Sequence, residues 1–272
     1  MCGRYVSVSS PAILAERFHV DEVRTGEPKS PEPKSPGPDY PGPNYPGPNY
    51  PGPNYPGPNY PGPNYPGPNY PGPNYNVTPR TDVPVVAVSR GLRVLDLVRW
   101  GLVPSWAKSL SVGDKMINAR AETLLTSNAY KRPFERHRCI VPADGFYEWQ
   151  TIEGQKQRQP WFIKRRDGEP LAFAGLWSIW HDRRLGEDAP RVRSCTIITT
   201  GPNALMATIH DRMPVILPEP EWDTWLDADN HDVGALGNLL VPLPGDELEA
   251  WPVTTLVNKP VNNGPELIEA RR

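Results

Sequence analysis

The sequence predicts an α+β fold: a single domain on a mostly antiparallel or mixed β-sheet core, with flanking helices and a long disordered loop. Runs of β-branched and aromatic residues dominate after residue 80, with helical patterns inserted among them. Proline and tyrosine are crowded into one place. Of 37 prolines and 11 tyrosines in 272 residues, 19 and eight lie between Glu27 and Tyr75. Setting that tract aside leaves roughly 220 residues of ordinary composition, a common size for one domain.

In chain order, a strand is expected near 3–8. SPAILAERF (10–18) then reads as a short helix, with Ser10 at the N-cap and Pro11 at the first helical position. From Pro41 the pentapeptide PGPNY runs seven times without an error, after PGPDY and EPKS units. Its prolines and glycines prevent helix and deny a sheet its donors, and it offers no aliphatic residue to a core. The tract 27–75 is therefore expected to be a disordered insertion in a domain made of 1–26 and 76–272. Enlarging a loop from about 8 to about 56 residues adds only on the order of 2 kcal/mol of closure entropy. PVVAVS and RVLDLVRW read as two strands joined by the SRG turn, and NARAETLL (118–125) has helical periodicity. CIVPA, GFYEWQ, WFIKR, LAFAGLWSIW and VRSCTIITT read as strands, and helices are expected at 203–209, 219–227 and 232–240.

A net charge of −2 excludes a strongly basic nucleic-acid binder, although KRPFERHR (131–138) and KQRQPWFIKRR (156–166) permit a local basic face. The three cysteines, Cys2, Cys139 and Cys195, have neither metal-ligand spacing nor a disulfide pattern. The longest apolar run is too short for a bilayer, and polar residues follow the first few positions directly. The expectation is a soluble cytoplasmic protein without membrane contact.

Cys2 carries the most chemistry. Removal of Met1 would place an α-amine and a thiol on adjacent carbons. An α-amine has a pKa of about 7.7–8.0, so a useful fraction is neutral near pH 7.5 and can attack an aldehyde. The thiol can then close a five-membered thiazolidine, and a terminal cysteine can also transfer acyl groups. Glu148, between Tyr147 and Trp149, would have its carboxyl pKa raised toward neutrality if those aromatics desolvate it; a strand glutamate facing solvent is the alternative. His210, Asp211 and Arg212 stand together in IHDRMP, where the imidazole can exchange protons near neutral pH; a structural, hydrogen-bonded histidine is the alternative.

MCGRY, YNVTP (75–79), WGLVPSWA (100–107), INARAET (117–123), RCIVPADGFYEW (138–149) and IHDRMPVIL (209–217) stand in the order found in the SOS response-associated peptidase family, which the chain resembles over all but the repeat. The resemblance implies an abasic-site sensor on single-stranded DNA. Cys2 would crosslink to the sugar aldehyde, Asn76 would orient it, and Glu148 and His210 would move protons. Arg4, Asn118, Arg120 and Arg212 would meet the DNA, with Trp106 packing on a base; a core role for Trp106 is the alternative. Lyase chemistry and self-removal of Met1 are implied as further uses of the same cysteine. No metal or organic cofactor is required, and a monomer, nucleoid-associated when bound to DNA, is expected.

Two other readings compete. Glutamine amidotransferases of the N-terminal-nucleophile type also begin MCG, but they leave DGFYEW without a role. A non-catalytic interaction protein would use the repeat as a ligand for a proline-recognising partner.

Overall fold

A computed structural model describes residues 2–24, 70–186 and 189–271. The expected disordered insertion lies outside the described residues as far as residue 69. The first elements are β1 (Tyr5–Ser7), α1 (Pro11–Arg17) and β2 (Glu22–Val23). After the repeat come β3 (Asn74–Val77), β4 (Asp82–Ser89), β5 (Leu92–Trp100), β6 (Asn118–Arg120) and α2 (Lys131–Arg136). Four long strands follow as β7 (Arg138–Ala143), β8 (Gly145–Gln150), β9 (Gln159–Arg165) and β10 (Leu171–His181). The remainder is β11 (Arg191–Thr200), α3 (Ala204–Ala207), β12 (Met213–Pro214), α4 (Trp222–Leu226), α5 (Val233–Asn238) and β13 (Leu248–Pro252).

The strands form two sheets. One is antiparallel in the order β13-β9-β8-β1-β3; the other runs β12-β11-β10-β7-β4-β5-β2, with β6 beside β11. Parallel pairs Ser194↔Arg99 and Cys195↔Trp100 join β11 to β5 and so close β5, β4, β7, β10 and β11 into a ring. Closure removes the exposed edges that an open sheet would present.

Strand alternation sorts the core. Val83, Val85, Cys139, Val141, Leu171, Phe173, Cys195 and Ile197 share one cluster with Tyr5, Phe146 and Ile163 of the first sheet. Their neighbours Val86, Ile140, Ala172, Ala174 and Ile198 belong to a second cluster, covered by Leu14, Phe18, Phe134, Trp222, Trp225 and Leu236 from the helices. Helices thus cover one face of the ring strands, and the first sheet packs against the other. All three cysteines are buried and free, and Cys139 and Cys195 are ordinary core residues.

Local chemistry fixes the turns. Ser10 accepts a hydrogen bond from the Ile13 N–H, which caps α1 as the sequence predicts. The β4–β5 turn puts both Arg90 (φ 54°) and Gly91 (φ 79°) in the left-handed region, as a two-residue hairpin requires. Asp144 turns the chain from one sheet into the other. Its carboxylate accepts the N–H groups of Val8 and Ser9 at 2.6 and 2.9 Å, tying the end of β1 to the start of β8. A side chain at Gly145 would lie 2.3 Å from the Phe162 ring, so only glycine fits after that corner.

Several expectations change. NARAETLL is not a helix: Asn118–Arg120 is a strand paired in parallel with Ile197–Thr199, and only a short 3₁₀ turn follows. Its helical periodicity is overridden because β11 offers a free ladder at that point. Arg138 belongs to no basic surface. It is buried, with its guanidinium donating to the carbonyls of Phe134, Glu135, Trp225, Asp227 and Asn230. Ordered strand begins at Asn74, so the last PGPNY unit contributes two residues to β3.

Candidate functional site

Cys2 lies at the meeting of the two sheets. It lies just before β1, which sits between β3 and β8 through Tyr5↔Val77 and Tyr5↔Phe146. From the other sheet, β6 extends the Asn118 side chain, whose Nδ2 donates to the Cys2 carbonyl at 2.8 Å. Cys2 is completely buried, and burial pushes its thiol well above the usual cysteine range. The negative charge of Glu148 pushes the same way, opposed by the positive amino terminus and a backbone hydrogen bond from Arg4.

Glu148 is on β8 opposite Trp161, 1% exposed. Burial pushes its carboxyl up to about 7, against the pull of the positive amino terminus and the Trp149 N–H. His210 ends the turn after α3, with Nε2 3.7 Å from Glu148 Oε2. Its Nδ1 accepts the Arg212 N–H at 3.0 Å, while the Asp211 carboxylate stands 3.0 Å from the same nitrogen. The two contacts favour different tautomers. Burial, followed by the positive amino terminus, lowers the His210 pKa and favours the neutral ring, and the Arg212 N–H donating to Nδ1 assigns that nitrogen as the acceptor. Its proton then sits on Nε2, facing Glu148.

Cys2, Asn118, Glu148 and His210 are thus brought together from four separate segments. Asn76 is drawn elsewhere. It is buried, its Oδ1 accepts from Arg4 at 2.6 Å, and its Nδ2 faces the carbonyls of Val257, Lys259 and Asn262. Arg4 also donates to the Val257 carbonyl and lies 6.0 Å over the Trp149 ring; burial lowers its pKa. Arg4 and Asn76 form a buried tether to the C-terminal loop.

Arg120 is exposed at the end of β6. Arg212 is two-thirds committed: it forks onto Glu122 at 2.6 and 3.0 Å and donates to the Thr199 carbonyl at 2.6 Å. Trp106 is 59% exposed, which removes the core alternative and leaves its ring free to stack.

The structure adds residues that sequence reasoning missed. Tyr130 donates to the Asn118 carbonyl at 3.2 Å and so steadies β6. Arg158, exposed in the β8–β9 loop, lowers the His210 pKa through its charge. The root of that loop is held beside His210, because Gln150 Nε2 donates to the Thr208 carbonyl at 2.7 Å. The basic run 156–166 was the available signal, but nothing in it indicated which sheet edge it would approach. Among the described residues no group of three or more His, Cys, Asp or Glu side chains could hold a metal ion.

Comparison with known proteins fits this arrangement. The abasic site processing protein YoqW of Bacillus subtilis is 44% identical over 195 residues, which cover 72% of this chain and 85% of the relative. The abasic site processing protein HMCES of Gallus gallus is 35% identical over 199 residues, covering 65% and 57%. A crystal structure of a Bacteroides thetaiotaomicron protein superposes with a TM-score of 0.65 at 26% identity, covering 73% of this chain and 86% of that one. The sequence profile described as SOS response associated peptidase matches residues 64–260, and with that match the chain belongs to the SOS response associated peptidase (SRAP) family.

Proposed function

We propose that this protein binds single-stranded DNA and captures abasic sites covalently through Cys2 after Met1 is removed. The reading is supported above all by the meeting of Cys2 with a buried carboxyl of pKa about 7 and a neutral histidine. The names of relatives such as YoqW and HMCES point the same way.

The chemistry follows from the parts. As the abasic sugar opens, the C1′–O4′ bond breaks, the C1′ hydroxyl gives its proton to the His210–Glu148 pair, and the pair returns one to the ring oxygen, so the aldehyde forms with both groups restored. The free α-amine of Cys2 attacks C1′, and the carbinolamine loses water to give a Schiff base. A carboxyl poised near pH 7 can accept the amine's proton and return it to the departing hydroxyl, a task suited to Glu148. The thiol adds to C1′, its proton passing through Glu148 to the imine nitrogen, and the thiazolidine closes. Asn118 keeps the Cys2 backbone in place, so both nucleophiles attack one carbon from a fixed frame. Arg4 and Asn76 act through their tether, and Arg120, Arg212 and Trp106 meet the strand. A Schiff base at C1′ also loosens the C2′ proton, which opens a route to strand cleavage by β-elimination. Attack of the same thiol on the Met1 carbonyl would shift the methionyl group from nitrogen to sulfur, freeing the Cys2 amine, and hydrolysis of that thioester by water would release Met1 and restore the thiol.

A denaturing gel with intact mass tests this. Wild type and Cys2→Ala are incubated with an oligonucleotide carrying one abasic site, and Met1 removal is read in the same spectrum. A heat-stable adduct from wild type alone is expected. A free Cys2 that yields no adduct would sink the proposal, and ammonia release from glutamine dependent on Cys2 would favour an amidotransferase.

A further inference from the structure

The Arg212 guanidinium is already occupied by an acid. Glu122 spans it with both oxygens, at 2.6 and 3.0 Å, and the charge of Arg120 acts on the same carboxylate. Arg120 lies opposite Thr199 in the β6–β11 pairing, and Thr199 gives its carbonyl to Arg212, so the two cations share one patch. That patch adjoins the reacting groups, because the Arg212 N–H holds His210 Nδ1. The acid is less embedded than its partner. The Glu122 side chain is 54% exposed, whereas that of Arg212 is 16% exposed.

A carboxylate forked on a guanidinium matches in shape and charge the two non-bridging oxygens of a phosphodiester. The exposed Glu122 end keeps this pair in contact with screening solvent, so exchanging it for a multiply bonded phosphate requires little work. We infer that Glu122 occupies the seat of a backbone phosphate and is displaced when a strand binds, a built-in competitor that sets affinity for single-stranded DNA. The inference rests on the proposed binding of DNA at this site. Phosphate contacts carry no sequence information, so the competitor weakens every strand alike and leaves selection to the covalent step.

The test measures binding of an intact oligonucleotide without an abasic site, by fluorescence anisotropy across a salt series. Glu122→Gln is expected to bind about two- to fivefold more tightly than wild type, the factor equivalent to one exposed ion pair. The plot of log affinity against log salt should also steepen, as one more cation becomes available to phosphate. Glu16→Gln, the same charge change on exposed α1, controls for net charge and should leave affinity unchanged. Equal or weaker binding by Glu122→Gln overturns the inference, and so does a variant that no longer folds, since either marks Glu122 as an anchor of the His210 turn. Adduct yield on an abasic strand is read separately. Adduct without tighter binding defeats only the competitor; tighter binding without adduct defeats only the covalent reading.

Discussion

Glu148 owes its chemistry to its surroundings, and two pH effects follow. Its folded pKa is about 7, above the ordinary glutamate value of 4.5. The folded chain therefore keeps a proton that the unfolded chain has lost over this interval. Stability from this group is present below about pH 4.5 and is lost as pH rises toward about 7. Wild type should lose melting temperature relative to Glu148→Gln between pH 5 and pH 8, by on the order of a few °C. Adduct formation should instead rise with pH through about 7 as the base becomes available, and Glu148→Gln should flatten that limb and slow the reaction about 100-fold or more. Stopped-time gels across pH would show both. The sequence offered Glu148 as a candidate beside Tyr147 and Trp149, but a strand glutamate facing solvent fitted the same pattern, because adjacent strand residues point to opposite faces. Less legible was Asn118, whose contact with Cys2 depends on β6 lying beside β11.

Among the elements, β3 shows how the site is braced from outside. Asn76 joins it to the loop at 257–262 and to Arg4 on the neighbouring chain segment. Asn76→Ala should cost about 1–3 kcal/mol, since it removes one partner of the half-buried Arg4 guanidinium and leaves several carbonyls without their donor. Denaturant unfolding measures that cost. If Asn76 serves only as a tether, adduct rate under folding conditions falls in proportion to folded protein, whereas a larger fall would mean direct action on Cys2. The acceptors of Asn76 lie as many as 186 residues downstream, so no local pattern could have announced them. The same limit explains NARAETLL, where a helical period was real but a parallel partner 79 positions later prevailed. Strands β4, β5 and β7 to β11 were legible because their branched and aromatic runs are long and their turns are marked.

At the scale of the molecule, a ring of five strands and a second sheet hold the reacting groups, and the last repeat unit joins the second of these. Asn74 and Tyr75 of the last unit are in β3, with the Tyr75 N–H on Asn263 at 2.7 Å and the Tyr75 carbonyl on Tyr147 at 2.8 Å. Trimming the tract to its last two units should therefore leave the melting temperature within about 2–4 °C and the adduct rate within a few-fold, because closure entropy changes by only about 0.6 kcal/mol per doubling of loop length. Calorimetry of the shortened chain would check it; removing Asn74 and Tyr75 as well should cost far more.

The way β3 takes up the final Asn-Tyr also bears on how such a gene can change. Slippage during replication adds or drops whole pentads, and each outcome hands the strand the same residues in the same phase. Copy number can thus change without altering what β3 receives. One extra residue between Tyr75 and Asn76 would be another matter, turning every following side chain of β3 to the opposite face.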